Sequence, residues 1–458
     1  MTMENSIRPT QKRPAGMTGF IIVWIGQIIS ILASGMSGFG LSIWMFEKTK
    51  SATAMGLMQV SFILPFLLLS PIAGVMVDRY NRKLMMMISD FAAVTATIAI
   101  LLLQATGQLQ FWHLYAANIL YGLGNTFQWP AYSAAISTMV PKEQYGRANG
   151  LMSLLEAGPG VLAPLLAGAV LAANKTSGLT IILTIDVVTF FIAIGALAFV
   201  FVPQPAKTVE GQKEKGNLWR EAAYGFTYIF KRPSLLGLQM IFFFGNLFSG
   251  LAFTVFAPMI LLRTNNNTVI FGTVNSAAAI GGVAGGLIMS AWGGFKKRTH
   301  GVLAGWILAG VFTALFGFGT GIAFWIPFII AQAIVSPLIN SSNQSIWQAK
   351  VAPDIQGRVF SARRLIAWFT QPIAPIIAGV LADKWLEPSM TSGVTNLAVT
   401  FNSWVGTGPG SGMSLLLIFC GMGAALVGLV GYFLPFIRNA ESTLPDHDQL
   451  EKVAAPGD

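Results

Sequence analysis

Three carboxylates stand inside long apolar runs: Asp90, Glu156 and Asp186. An ionisable group at membrane depth is costly, so each is a candidate for taking up and releasing a proton. Glu156 lies nine residues beyond Arg147. On a helix rising about 1.5 Å per residue, that is about 14 Å past the basic segment, near a bilayer midplane. It is the first choice as proton acceptor or as partner of a cationic group. Asp186 enters its run from the opposite side, placed to pass protons toward Glu156, whereas Asp90 is only two turns from Lys83. The alternative for all three is a satisfied hydrogen bond between helices, or a side chain that snorkels to the interface. Neutral amides supply a candidate substrate cavity: Gln27, Asn118, Asn125, Gln128, Gln239, Asn246, Asn275, Gln332, Asn340, Asn343, Gln344 and Gln371. Such groups among Phe, Trp and Met suit a large amphipathic ligand, although about half are expected only to bridge helices. No basic residue is expected at that depth, which disfavours a sugar or organic-anion symporter.

Long apolar elements must position these groups. Uncharged stretches run from Met17 to Phe46, Ser51 to Val77, Leu114 to Pro141, Ser234 to Leu262 and Thr264 to Phe295. Each exceeds the roughly 20 residues that cross about 30 Å of hydrocarbon. Leu84 to Thr106, Gly150 to Ala173 and Leu179 to Val202 hold one carboxylate each, and Leu365 to Ala382 and Met413 to Phe436 are further spans. The run Gly301 to Ala349 is long enough for two and divides at the turn cluster Gly317 to Gly321. The total is twelve. Basic residues alternate between the connections. Arg8, Lys12, Lys142, Arg147, Lys207, Lys213, Lys215, Lys296, Arg358, Arg363, Arg364 and Lys452 belong to one side; Lys48, Lys50, Lys175, Arg263 and Lys384 are all that the other side holds of the 28 Lys and Arg. By the positive-inside rule both termini are cytoplasmic.

These features exclude several classes. The net charge of +10 is spread over separate loops and follows topology, so nucleic acid is not an expected partner. Solitary Cys420 offers neither a disulfide nor a cysteine metal site. The chain has no G-x-x-x-x-G-K-[ST] phosphate loop, no H-E-x-x-H and no G-x-S-x-G elbow. Neither an enzyme nor a cofactor or metal site is expected.

The chain also repeats itself. A shift of 211 positions sets Gly146-Arg147 on Gly357-Arg358, and Ala163-Pro164 and Gly168 on Ala374-Pro375 and Gly379. The expectation is an all-α integral membrane protein with twelve transmembrane helices in two pseudo-symmetric six-helix bundles, 17–202 and 234–437. Tails 1–16 and 438–458 flank them. The joint 203–233 is Lys/Glu-rich and then carries Leu218, Trp219, Ala222, Phe226 and Ile229 at helical spacing, an amphipathic helix on the cytoplasmic face. Parallel halves suit alternating access, in which a midplane site opens first to one side and then to the other. A receptor or scaffold has no need of the duplication.

Between the second and third runs, Gly74, Asp78, Arg79, Arg82 and Lys83 keep the spacing of the signature loop of the major facilitator superfamily, which the segment resembles. Gly74 permits close helix approach. Asp78 can accept hydrogen bonds from Arg79, from Arg82 or from a helix N-terminus across the halves, latching the cytoplasmic side. Asn81 replaces the usual glycine and tolerates its left-handed backbone. Nearly the whole chain resembles the drug:proton antiporters of the macrolide-efflux type, a group close to enterobactin exporters. Trp24-Ile25-Gly26-Gln27, Ser70-Pro71-Ile72-Ala73-Gly74, Gln128-Trp129-Pro130-Ala131 and the Gly158-Pro159-Gly160 bend carry that likeness. The resemblance implies proton-coupled efflux of lipophilic or cationic drug-like compounds, with the small molecule, protons and the bilayer as partners. A monomer in the inner membrane is expected. A dedicated siderophore or metabolite exporter, or a sensor that does not transport, are the alternatives.

Overall fold

The computed structural model describes residues 13–49, 52–174, 176–208 and 216–449. Among the basic residues that set the expected orientation, Arg8, Lys12, Lys50, Lys175, Lys213, Lys215 and Lys452 lie outside the described residues. So do most of the tail 1–16, the Lys/Glu-rich part of the joint and the end of the tail 438–458.

Inside a bilayer no water is present to satisfy backbone N–H and C=O groups, so each apolar run closes its hydrogen bonds internally as a helix. The first half comprises α1 (Gly16–Thr49), α2 (Ala52–Arg79), α3 (Arg82–Ala105), α4 (Phe111–Met139), α5 (Tyr145–Ala173) and α6 (Gly178–Phe199). A surface helix, α7 (Leu218–Phe230), leads to α8 (Pro233–Arg263), α9 (Thr268–Trp292), α10 (Arg298–Phe318) and α11 (Ile322–Lys350). The eleventh path is α12 (Gln356–Trp368) continued by α13 (Thr370–Val380), and α16 (Ser411–Phe433) is the last. Among the described residues, eleven helical runs are long and apolar enough to span a membrane. The twelfth path is α4, whose 29 residues include Asn118, Asn125 and Gln128, and these lower its apolarity.

Two details depart from expectation, the start of the eleventh run and the backbone of Asn81. The eleventh run begins at Pro353 and continues to Thr391, so Arg358, Arg363 and Arg364 lie within a helix, not in a basic loop ahead of it. The outer connection is helical: α14 (Glu387–Thr391) and α15 (Asn396–Val405) lie in it. Glu387 accepts hydrogen bonds there from the backbone of Gly412 at 2.9 Å and Met413 at 3.2 Å, capping α16. Asn81 has φ −64° and is not left-handed; its side chain caps α3 by accepting from the Leu84 N–H at 3.2 Å.

Within each half the helices pack on their own neighbours, α1 on α5 and α6, α2 on α4, and in the second half α10 on α11 and α16. The halves meet through two related pairs, α2 with α12 and α5 with α9, and α11 also crosses to α5. These contacts concentrate on the side where α1 begins and α16 ends, the terminal side. A Cβ on Gly74 would stand 2.4 Å from the Gly357 carbonyl oxygen, and one on Gly146 would stand 1.8 Å from that of Gly293. Only glycine lets the backbones come this close. Farther along the same helices, Gly158, Gly160, Gly168, Gly272 and Gly379 have nothing within 4 Å of a Cβ.

Candidate functional site

A cavity of about 690 Å³ lies between the halves. Polar residues that interrupt several of the apolar helices converge on it. α1 supplies Gln27, α3 Asp90, α4 Asn125, Gln128 and Trp129, and α5 Ser153 and Glu156. Across from them stand Gln239 and Asn246 of α8, Asn340, Asn343 and Gln344 of α11, and Arg363 and Arg364 of α12. Four predicted cavity residues are elsewhere. Asn118 donates to the Met58 carbonyl at 3.3 Å and so bridges α4 to α2, while Asn275, Gln332 and Gln371 do not line the cavity.

The three carboxylates have three different settings. Glu156 is exposed to the cavity and accepts one hydrogen bond, from Trp129 Nε1 at 3.3 Å. Asp90 is 6% exposed and accepts from Gln27 Nε2 and from Gln128 Nε2, both at 3.1 Å. These two amides thus hold a carboxylate at the wall, with no cation in contact among the described residues. Asp186 has no exposure at all. It sits behind the wall, accepting from Ser34 Oγ at 2.8 Å and Thr97 Oγ1 at 3.4 Å, and Thr97 in turn contacts the Tyr121 hydroxyl.

The expectation of a cavity without deep basic groups is overturned. Arg363 and Arg364 both line it. The Arg364 guanidinium lies 4.4 Å from the Trp368 ring centre, 4.5 Å from Trp129 and 4.9 Å from Phe66, a cage of aromatic faces that holds the cation. The internal repeat carried a signal for this: its 211-position register sets Arg364 against Ser153, a residue well inside α5. Hydropathy alone hides it, because arginine itself moves the apparent start of the span.

Toward the terminal side the cavity ends in the signature loop. Asp78 accepts from the backbone N–H of Gly357 at 2.6 Å and of Arg358 at 2.9 Å, and from Arg358 Nε at 3.1 Å. The acceptor is therefore seated on the N-terminus of α12, where unpaired N–H groups and the helix dipole favour an anion. Arg82, wholly buried, donates to the Ala134 carbonyl at 2.7 Å and to that of Pro353, so it ties the two halves together. Arg79 pairs with Glu221 of α7 at 2.7 Å. Lys83 stays in its own half, donating to the Ala198 and Val200 carbonyls that end α6. Nearer the cavity, Asn149 donates to Ser345 Oγ at 3.0 Å and Gln348 Oε1 at 2.7 Å, adding polar contacts across the same seam.

A cavity between two related helical halves, sealed at one end by glycine contacts and a carboxylate latch, defines a membrane carrier. The chain belongs to the major facilitator superfamily, whose family model matches residues 23–375. It is 26% identical to macrolide efflux protein A of Streptococcus pyogenes over 371 residues, covering 80% of this chain and 89% of that one. A multidrug efflux pump of Mycolicibacterium fortuitum is 23% identical over 442 residues, covering 91% of this chain and 97% of its own. Among solved structures, a bacterial homologue of the iron transporter ferroportin in an outward-facing state superposes with a TM-score of 0.66 at 13% identity, covering 90% of this chain and 98% of that one. That likeness concerns the fold. The protein is thus a multi-pass membrane transporter of small molecules.

Proposed function

We propose that this carrier exports large amphipathic, drug-like compounds across the plasma membrane by proton-coupled alternating access, with both termini in the cytoplasm. Support comes from the relatives named for macrolide and multidrug efflux and from the basic residues gathered on the terminal side. With that orientation the sealed end is cytoplasmic and the present state faces outward. The observation that carries the coupling is Glu156: a carboxylate open to the cavity, held by a single indole hydrogen bond, in the field of Arg364. Such a group changes its proton affinity when the surrounding water is exchanged for the opposite half. Asp90, at the wall with its two amides, is the second coupling group. Asp186 serves as the buried tie among α1, α3 and α6.

The test is accumulation of a panel of lipophilic dyes and macrolides in pump-deficient cells, with and without a pH gradient. Expression should lower accumulation several-fold only while the gradient stands. Glu156→Gln should bring the gradient-driven part to the level of cells lacking the carrier while substrate still binds. Unchanged accumulation across the whole panel would discard the export reading. Full gradient dependence in the Gln variant would move the coupling to Asp90.

A further inference from the structure

Among the described residues, the second half of the cavity wall carries two guanidinium groups and no carboxylate. Arg363 is only 7% exposed. Its Nη2 donates to Gln344 Oε1, its faces lie against Trp347 at 5.2 Å and Phe360 at 5.3 Å, and its Nη1 has no hydrogen-bond partner. Among the described residues no acid stands within ion-pair distance of it, and the neighbouring charge, Arg364, has the same sign. A buried cation ordinarily has a counter-charge, because desolvation without one is expensive. Two further donors on this wall are also free of partners: Arg364 Nη1 and Gln344 Nε2. Gln344 is itself more than nine-tenths buried, so these are buried polar groups without partners, on residues that line the cavity.

Arginine presents its N–H groups as a planar fork that matches the two oxygens of a carboxylate. The rings around Arg364 offer flat faces for an aromatic frame. From the first half, Glu156 and Asp90 supply negative charge to the same cavity. We propose that the transported compound is amphoteric: an aromatic, drug-sized molecule whose carboxylate seats on Arg363 and Gln344 while its basic group faces Glu156. This rests on the export reading above and narrows its substrate class. A lipophilic or cationic ligand leaves Arg363 uncompensated; an amphoteric one compensates both walls.

The test is equilibrium binding to the full chain in lipid nanodiscs, with ciprofloxacin, a zwitterion at neutral pH, against its methyl ester, which keeps the amine and lacks the carboxylate. The acid should bind about tenfold or more tighter than the ester. Arg363→Gln should erase that preference and leave the affinity for the ester, which also shows that the variant is folded. Arg363→Lys, which keeps the charge without the fork, should restore part of the preference. Equal binding of acid and ester by the unaltered chain would overturn the anion seat, as would an Arg363→Gln variant that keeps the preference. Efflux of lipophilic cations together with equal binding removes the seat alone. Acid-selective binding without efflux of any compound supports the seat and removes the transport reading.

Discussion

At the scale of single residues, the terminal seal depends on one carboxylate and on glycines that leave no room for a side chain. The side chains of Asp78 and Arg358 are each 3% exposed, so their pairing is little screened by solvent, and two backbone donors add to it. Hydrogen bonds to a charged group contribute about 1.5–3 kcal/mol each to the state that makes them. Asp78→Asn keeps the shape and loses the charge, so the closed terminal side should open more often, by about 10- to 100-fold in its equilibrium constant. A single cysteine at Ser70, which is 1% exposed beside Ser361, placed in a Cys420→Ser background, reads this directly. Its labelling by a membrane-impermeant maleimide should rise by at least tenfold in the Asn variant; an unaltered rate would show that the carboxylate does not hold the seal. Gly357→Ala tests the steric half separately. Its Cβ would meet the Gly74 carbonyl oxygen at 2.4 Å and Asp78 Oδ1 at 2.6 Å, and overpacking of this kind costs about 1–3 kcal/mol. The same cysteine should therefore become reactive although Asp78 is intact. If it stays protected, the two helices have slack that the close approach does not suggest.

At the scale of elements, α7 ties both halves of the latch together. Its Glu221 pairs with Arg79 of α2 at 2.7 Å and lies 3.9 Å from Arg358 of α12, while a Cβ on Gly225 would stand 2.3 Å from the Arg358 carbonyl oxygen. Burial pushes the Glu221 carboxyl up, yet the hydrogen bond from Arg79 and the Gly216 N–H outweigh it and hold the group below its ordinary value of 4.5. A depressed acid stabilises its folded arrangement above its unfolded pKa, and the contribution is lost as pH falls through the folded one. Docking of α7 should thus be constant from pH 5 to 8 and weaken only in acid below the ordinary glutamate value of 4.5, as a distance probe between α7 and α12 would record. Glu221→Gln should lose that acid transition; a transition centred near neutrality would assign it to another group. The helix was legible beforehand because Leu218, Ala222, Phe226 and Ile229 recur with helical spacing, and so were the spans without charges. The eleventh span was not, since three arginines mask its first turns from any reading by apolarity. Nor were the partners of the amides: Asn118 and Asn125 share α4 and one residue type, but one bonds Met58 and the other faces the cavity. Seven residues apart, they share one face of α4, so depth along the axis decides it: Asn118 stands beside Met58 of α2 and Asn125, about 10 Å further on, at the level of the cavity.

At the scale of the whole molecule, the seal consists of two unequal contacts made by a duplicated chain. Where Asp78 meets the start of α12, the related contact sets Gly293, with φ +85°, against Gly146 and the Arg147 stem. Among the described residues no carboxylate latches it, and the C-terminal segment supplies charge nearby instead. Lys142, in the connection before α5, pairs with Asp446 at 3.3 Å and Asp448 at 2.5 Å, while Lys350 at the end of α11 reaches Asp446 at 2.8 Å. One acidic stretch therefore bridges the first half to the second. Asp448 is 46% exposed, and solvent-facing ion pairs of this sort contribute at most about 1 kcal/mol. Asp446→Asn together with Asp448→Asn should consequently loosen the terminal side by less than about tenfold, a smaller effect than Asp78→Asn alone. Because salt screens exposed pairs more than buried ones, high ionic strength should reproduce the double substitution and leave the Asp78 contact in force. Labelling of the Ser70→Cys reporter in low and high salt, in all three backgrounds, checks both orderings at once. If the tail variant opens the carrier as far as the Asp78 variant does, the acidic stretch and not the signature loop is the principal lock.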